Sequence, residues 1–187
     1  MTILIAGLIT FFGIHLLTAT PLRRASVGVM GEGPYKGVFS LLSLVGLGLM
    51  IWGFGMSRYG PDAAIIVFNP PLWGPYVTLV LVALAMVLIS ASHGKGHIRK
   101  RVKHPMSIGV GLWAFGHLFS NGNLNEVLLF GSFVAYAIFD VLLCTIKGKS
   151  NSFEPEIKGD IKAIIIGGII FAVVLFFHYN LFGVSAI

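Results

Sequence analysis

Charged residues and cysteines are scarce in this sequence. It has 13 Lys and Arg and only 7 Asp and Glu among 187 residues, whereas about a quarter of the residues of a typical soluble domain are charged. The single cysteine, Cys144, excludes an intrachain disulfide and every metal or iron–sulfur site that needs several cysteines. Any metal would therefore be held mainly by histidine, of which the chain has six.

Apolar residues, by contrast, make up 56% of the chain and are gathered into long runs. A transmembrane helix needs roughly 20 predominantly apolar residues to cross about 30 Å of hydrocarbon. Six stretches meet this requirement, at about residues 2–20, 37–56, 73–92, 105–122, 124–146 and 161–181. We therefore predict an all-α integral membrane protein, a bundle of about six transmembrane helices with residues 1–187 in a single domain.

The basic residues predict how these helices are oriented, because Lys and Arg collect in short cytoplasmic loops. Arg58 is the one basic residue on one side of the predicted membrane. The other twelve follow the first, third and fifth spans: Arg23, Arg24, Lys36, Lys95, Arg99, Lys100, Arg101, Lys103, Lys147, Lys149, Lys158 and Lys162. This alternation predicts six crossings with both termini on the non-cytoplasmic side. Because the loops account for the net charge of +6, the lipid bilayer is the expected partner and nucleic acid is not.

Two connections carry further information. Residues 57–72, SRYGPDAAIIVFNPPL, have a short apolar run before two prolines, which predicts an interfacial or partly re-entrant segment. The fourth and fifth spans are joined by SNGNLN, a cluster that favours a tight turn. We expect these two helices to be antiparallel neighbours.

Two histidines, His15 and His117, fall inside predicted spans. An imidazole in hydrocarbon must hydrogen-bond or bind a metal, because leaving its polar atoms unpaired costs on the order of a few kcal/mol. One hypothesis is a shared partner such as a bulky planar cofactor. The alternative is that each histidine bonds a carbonyl or hydroxyl group of a nearby helix.

The surroundings of His117 are suited to a flat cofactor. Gly109, Trp113, His117 and Asn121 recur every four residues and share one helix face. A porphyrin takes an axial histidine and is covered by apolar and aromatic groups, so this face could bind haem. Tight helix packing would use the same glycine, and that alternative stays open.

Three further residues complete the candidate cofactor site. Asp140 is the one acid deep inside a predicted span, and such a carboxylate usually faces a partner or a cavity. We expect it to orient His15 or His104, or to pair with Arg23, Arg24 or a residue of the basic loop. His104 opens the fourth span, either as an interfacial residue or by binding an acidic group such as a haem propionate together with Arg23, Arg24 or Lys103. The candidate cofactor-binding residues are His15, His117, His104, Trp113, Gly109, Arg23 and Asp140.

Four segments carry a resemblance to a known family: FFGIHLL, LISASHGKGHIRKRVKHP, HPMSIGVGLWAFGHLFSNG and AYAIFD. On these segments the chain resembles the NnrU family of bacterial membrane proteins over most of its length, and the third segment is the most specific. The family is related to Z-ISO, the 15-cis-zeta-carotene isomerase, a membrane protein that holds haem b. The resemblance implies an integral protein of the bacterial inner membrane.

The resemblance also implies a cofactor and a chemistry. The two haem-ligand histidines of the isomerase fall on His15 in FGIH and His117 in WAFGH, which makes them the candidate metal ligands. NnrU proteins are associated with denitrification, so haem b would support ligand-gated redox chemistry on a hydrophobic or small gaseous ligand such as nitric oxide, with a membrane redox partner, or isomerase-like chemistry on a carotenoid. The isomerase has a cysteine three residues before its second histidine, whereas this chain has Ala114 there.

Two other hypotheses remain. KHPMSIG resembles the RHPxYxG segment of membrane methyltransferases and sterol reductases, in which His104 and the basic loop would hold a nucleotide-like cofactor, although Ser107 replaces the tyrosine. Alternatively, the chain is a non-catalytic membrane assembly factor whose polar residues serve packing and partner contact.

Overall fold

The computed structural model describes residues 1–60, 65–148 and 152–186. Within these ranges the chain forms nine helices: α1 (Thr2–Leu17), α2 (Leu22–Met30), α3 (Glu32–Ser57), α4 (Gly74–Ala91), α5 (His97–Val102), α6 (Pro105–Leu118), α7 (Leu124–Ile146), α8 (Ile157–Phe176) and α9 (His178–Phe182). The all-helical prediction is confirmed. Part of the predicted re-entrant segment, residues 61–64, and the basic residue Lys149 lie outside the described residues.

Four or five segments of the described residues have the length and apolar character of a membrane crossing. Four helices are long and apolar enough to span a membrane, namely α3, α4, α7 and α8, and the bent pair α1 and α2 makes a fifth if it counts as one span. The fourth predicted span is α6, which has 14 residues and is therefore about 21 Å long. The count of six is not confirmed, and the side of the termini stays a prediction.

The first predicted span ends early because side chains and a proline interrupt it. α1 ends at Leu17 rather than near residue 20. The hydroxyl of Thr18 donates to the carbonyl of His15 at 2.6 Å, and that of Thr20 donates to the carbonyl of Leu17 at 2.8 Å. Pro21, which has no N–H to continue the helix, then precedes α2. The axes of α1 and α2 differ by 84°.

The chain divides into two compact units. Unit one consists of Met1–Val67 and Asn123–Ser132, and unit two of Phe68–Gly122 and Phe133–Ile187. The helix α7 contributes its first turns to unit one and the rest to unit two.

Glycines bring α1 and α3 together in unit one. A Cβ atom on Gly46 would lie 2.7 Å from the backbone nitrogen of Phe11, and one on Gly7 would lie 2.9 Å from the backbone of Leu49. A Cβ atom on Gly53 would likewise strike the backbone of Leu4. Since later residues of α3 meet earlier residues of α1, the helices are antiparallel. Small residues allow this approach in a membrane, where dispersion contacts between helices replace the hydrophobic effect.

Helix α4 is the central helix of unit two, and α6 and α8 pack against it. Gly109 of α6 lies against Ile89, and a Cβ atom there would be 2.8 Å from the side chain of that residue. Gly167 of α8 lies against Val87, where a Cβ atom would be 2.7 Å from the backbone. At both positions the absence of a side chain lets the helix backbone approach α4 closely.

The predicted antiparallel pairing across SNGNLN is confirmed in unit two. Ser107 of α6 contacts Asp140 of α7, and Gly111 lies against Ala137. Further along α6, the ring of Trp113 meets the ring of Phe133 edge-on at 5.4 Å. The contacts run in opposite directions along the two helices, as expected for neighbours joined by a short turn.

Small side chains fill the buried positions and large ones face outward. Ala85 and Ala114 are fully buried, whereas Ile9 is 68% exposed and Leu142 58% exposed. A soluble protein would bury such large aliphatic residues. Their exposure indicates contact with lipid and is consistent with an integral membrane protein.

Candidate functional site

His15 lies in the last turn of α1, in unit one. Its Nδ1 atom is 2.6 Å from the carbonyl oxygen of Phe11, one turn earlier. The rings of Phe11 and Phe39 flank the imidazole at centroid distances of 4.2 and 5.1 Å. The half-buried imidazole therefore has a hydrogen-bonded nitrogen and two aromatic neighbours.

His117 lies in the last turn of α6, in unit two. Its Nδ1 atom is 2.8 Å from the carbonyl oxygen of Trp113, and the two rings are 5.1 Å apart. The side chain of Asn121 donates to the carbonyl of His117 at 2.7 Å. The sequence placed His117 in the interior of a span that continued to residue 122. Because α6 ends at Leu118, His117 lies at the end of a short helix instead.

The two histidines share one hydrogen-bonding arrangement. A backbone carbonyl can only accept, so Nδ1 of each ring must carry the proton that it donates to Phe11 or Trp113. In the neutral imidazole the lone pair is then on Nε2. This is the arrangement of many metal-binding histidines, whose other ring nitrogen donates to a backbone carbonyl or carboxylate and so fixes the tautomer and the ring orientation.

Gly109 does not form the open cofactor-binding surface that the sequence suggested. It is buried against α4, where a Cβ atom would lie 3.0 Å from the carbonyl of Ala85 and 3.1 Å from the backbone nitrogen of Ile89. Helix packing accounts for this glycine, which was the alternative left open above. Trp113, four residues on, stays beside His117, and its ring also packs against Phe133 of α7.

Asp140 forms its contacts with groups of α6 and its own helix. The Ser107 hydroxyl donates to Oδ2 of Asp140 at 2.5 Å, and the thiol of Cys144, itself buried, is 3.8 Å from Oδ1. Ser107 was not among the predicted partners of this carboxylate. It stands where the methyltransferase-like segment has tyrosine, so the hydroxyl at this position serves a contact between α6 and α7.

His104 occupies the junction between α5 and α6. It is the residue before the first turn of α6, and its carbonyl accepts from the backbone N–H of Ile108. The preceding residue, Lys103, has φ of +62°, and the backbone N–H of His104 donates to the carbonyl of Val102 at 2.7 Å. This is a tight γ-turn, which is rare and strained for a residue other than glycine. The strained turn and Pro105 together separate the basic helix α5 from α6.

Arg23 lies on α2 in unit one. Its guanidinium group is 3.4 Å from Glu32 and lies over the ring of Tyr35 at 5.6 Å. Both members of the ion pair are largely exposed, so the pair contributes little to stability.

The structure thus groups the candidate residues by unit. His15 and Arg23 belong to unit one, and His117, His104, Trp113, Gly109 and Asp140 belong to unit two. Within unit two, His117 and Trp113 are in contact, and so are Asp140 and Ser107. No group of three or more His, Cys, Asp or Glu residues suited to a metal ion occurs in the part of the chain that the structure describes.

A cavity of about 260 Å³ borders the turn of α6 that carries His117. It belongs to unit two, and its walls are apolar: Phe68, Pro71, Trp73, Phe115, Leu118 and Phe119. Two of these wall residues are on α6 within two positions of His117. The cavity is open on one side, so its apolar walls offer contact to lipid chains or to a small apolar molecule.

One polar contact had no signal in the sequence. Oδ2 of Asp160 accepts from the backbone nitrogen of His97 at 2.9 Å and is 2.8 Å from Nδ1 of the same residue, and Oδ1 accepts from the backbone of Ile98 at 2.9 Å. These residues are more than 60 positions apart in the chain. Hydropathy and local spacing report only on neighbours along the sequence, so neither could find the pair.

Comparison with known proteins identifies the family. The family model described as NnrU protein matches residues 3–186, nearly the whole chain. The chain belongs to the NnrU family. No curated protein and no solved structure matches it.

Membership of the NnrU family agrees with the apolar helices of the structure. Both indicate an integral membrane protein in contact with a lipid bilayer. NnrU membership also fits a role connected in general with denitrification. The relation to Z-ISO and the binding of haem rest on the sequence resemblance and stay predictions.

Proposed function

We propose that this NnrU-family membrane protein binds haem b, with His15 of unit one and His117 of unit two each a candidate iron ligand, and serves one-electron or small-gas chemistry linked to denitrification. One observation supports this proposal above the others: both histidines donate from Nδ1 to the carbonyl four residues earlier. That hydrogen bond leaves the lone pair on Nε2, the atom that would bind iron.

The neighbouring side chains have clear roles in such a site. Phe11 and Phe39 beside His15, and Trp113 beside His117, would limit the rotation of each imidazole and cover an apolar ring system. The hydrogen bond from Nδ1 raises the basicity of the ligating nitrogen and fixes the ring plane. Bound haem would supply an iron able to take up nitric oxide or one electron.

The position three residues before His117 favours redox or small-gas chemistry over carotenoid isomerisation. Ala114 is fully buried and has no atom that can bind a metal. In the isomerase, the exchange of iron ligands needs a cysteine at the position that Ala114 occupies here. Cys144 is buried near Asp140 on α7, so it does not replace that group on α6.

Absorption spectra of the detergent-purified protein test the proposal. After expression with a haem precursor, the wild type should show a Soret band and a sharp α band on reduction with dithionite. His15→Ala and His117→Ala should each lower the retained haem about tenfold or more, since even residues that only support metal ligands change affinity by about 10- to 100-fold. Nitric oxide added to the reduced wild type should shift the Soret band.

His93→Ala is the matched control, because His93 is an exposed histidine in the loop after α4. It should retain as much haem as the wild type. A wild type that remains colourless with haem supplied would reject the proposal and favour the assembly-factor hypothesis. Equal haem content in all three variants would reject the assignment of the ligands while keeping haem binding.

A further inference from the structure

Two basic segments that are distant in the sequence meet at one end of unit two. Gly96, just before α5, lies against Gly159 in the first turn of α8, where a Cβ atom would be 2.5 Å from the backbone nitrogen of Gly96. The backbone nitrogen of Glu156 donates to the carbonyl of Lys95 at 2.8 Å. We use the name basic junction for α5 with residues 92–96 and Lys103, residues 152–156 and the first turns of α8.

The position of the basic junction follows from the helices that end there. The last turn of α4, the start of α6 and the start of α8 all adjoin α5. Because these helices are apolar, their shared end lies where hydrocarbon gives way to headgroups. The basic junction is therefore at the level of lipid phosphates, on the side that the distribution of Lys and Arg predicts to be cytoplasmic.

Asp160 fixes the orientation of α5, and its carboxylate points toward α5 and not toward the exposed cations. Its carboxylate accepts from the backbone N–H groups of His97 and Ile98 and contacts the His97 imidazole. A carboxylate at the N-terminus of a helix satisfies N–H groups that have no partner within the helix. Asp160 of α8 thus binds the N-terminus of α5, and its side chain is only 18% exposed.

Two basic residues of α5 hold the segment before α8 in place. Arg99 lies over the Phe153 ring at 5.2 Å and donates to the carbonyl of Gly94 at 2.9 Å. The ammonium group of Lys100 donates to the carbonyl of Phe153 at 2.9 Å. These contacts keep α5 and residues 152–156 together, so that the remaining cations have a defined arrangement.

Exposed cations dominate the outer surface of the basic junction: Lys95, Lys100, Arg101, Lys103, Lys158 and Lys162. The exposed acids of the same region are Glu154 and Glu156. Cations from both segments share one surface at the end of the apolar helices. The complementary partner is a surface that presents several phosphate groups at that level. Basic residues near a bilayer attract such anionic headgroups within a Debye length.

We propose that the basic junction is a docking surface for anionic phospholipid headgroups, with Arg101 and Lys103 contacting phosphate and Asp160 positioning α5. A lipid fits better than a soluble anion, because the cations are spread over an open surface and a bilayer presents many phosphates there at once. This proposal is independent of haem binding.

Thermal melting in mixed micelles tests it. Delipidated protein is titrated with phosphatidylglycerol, with phosphatidylcholine and with inorganic phosphate, and unfolding is followed by tryptophan fluorescence. Phosphatidylglycerol should raise the melting temperature, with half-saturation at a lower mole fraction than phosphatidylcholine, and inorganic phosphate should have no comparable effect. Arg101→Gln and Lys103→Gln should each weaken the response to phosphatidylglycerol about fivefold, the effect of one basic residue near an anionic surface.

Two more variants separate the proposal from a general effect of charge. Arg58→Gln removes a basic residue at the end of α3, on the side predicted to face away from the cytoplasm, and should leave the response unchanged. Asp160→Asn keeps every cation but loosens α5. It should therefore weaken the response to phosphatidylglycerol although the surface cations are unchanged. Equal responses to the two lipids, a wild-type response in the double variant Arg101→Gln/Lys103→Gln, or an equal response to inorganic phosphate would each overturn the proposal.

Discussion

His15 and His117 have the same local geometry, but the helices that carry them are packed in different ways. In unit one, α1 meets α3 through glycines and bare backbone, with Phe11 directly over Gly46. In unit two, α6 meets α4 through glycines and also through the hydroxyl of Thr78, which donates to the carbonyl of Gly116. The hydrogen bond of each histidine therefore comes from its own helix turn, with an aromatic residue four positions earlier, and two kinds of packing accommodate it.

The largest effect should come from filling a glycine contact. Gly46→Ala in unit one and Gly167→Ala in unit two would each place a methyl group 2.7 Å from the backbone of a neighbouring helix. Overpacking of this kind costs typically about 1–3 kcal/mol. Gly48→Ala and Gly168→Ala are the matched controls, because a Cβ atom there meets nothing within 4 Å. Melting in detergent should show losses for the first pair only.

The two control variants have an expected sign of their own. Alanine is a better helix former than glycine by up to about 1 kcal/mol in exposed helix interiors. We therefore expect Gly48→Ala and Gly168→Ala to melt at the same temperature as the wild type or slightly higher. Equal changes in Gly46→Ala and Gly48→Ala, or in Gly167→Ala and Gly168→Ala, would show that close packing does not govern these positions.

A second comparison concerns the acidic residues of the two units. Asp160→Asn should lower the free energy of unfolding by about 2 kcal/mol, because its partly exposed carboxylate accepts from the backbone N–H groups of His97 and Ile98 and a hydrogen bond to a charged group contributes about 1.5–3 kcal/mol. Glu32→Gln, which removes an exposed partner of Arg23 and Lys36, should change it by less than about 1 kcal/mol. Chemical denaturation in mixed micelles would measure both. A larger loss of unfolding free energy in Glu32→Gln than in Asp160→Asn would contradict this prediction.

The smallest effect is expected at the hydroxyl that joins α4 and α6. Thr78 is buried, and its hydroxyl donates to Gly116 at 2.8 Å and lies 2.6 Å from the hydroxyl of Ser120. Thr78→Val keeps the shape but removes the bond, and interhelical hydrogen bonds in membranes average about 0.6 kcal/mol. In Thr10→Val the lost bond is to Ala6 of the same helix at an exposed position, so this control should melt at the wild-type temperature. A loss for Thr10→Val equal to that for Thr78→Val would show that the interhelical bond adds nothing.

Much of the fold follows from sequence because apolar runs determine where helices form. Four of the six predicted stretches contain one long apolar helix, and the pairing across SNGNLN is confirmed by Ser107, Gly111 and Trp113. The first stretch was wrong at its end because Thr18 and Thr20 hydroxyls bond backbone carbonyls before Pro21. The fourth predicted stretch was too long. Phe119 is apolar, so hydropathy alone does not show that the helix ends at Leu118.

The candidate site was predictable only in part. The two deep histidines stood out because an imidazole in hydrocarbon needs a partner, and the structure supplies one for each Nδ1 atom. Gly109 stayed ambiguous in the sequence because a glycine that faces a helix and one that faces a flat ligand have the same spacing. Asp160 was missed because its contact with His97 depends on how α5 and α8 meet, which local patterns do not record.

The two helices that end with these histidines are also short. At 1.5 Å per residue, α1 with 16 residues is about 24 Å long and α6 with 14 about 21 Å, less than the hydrocarbon thickness of an average bilayer. A membrane compensates for such hydrophobic mismatch by thinning locally around the protein. Each imidazole, one or two residues from its helix end, is thereby brought closer to headgroups and water than a full-length span would hold it. Lipid chain length should consequently tune the solvent exposure of both histidines without any change in sequence.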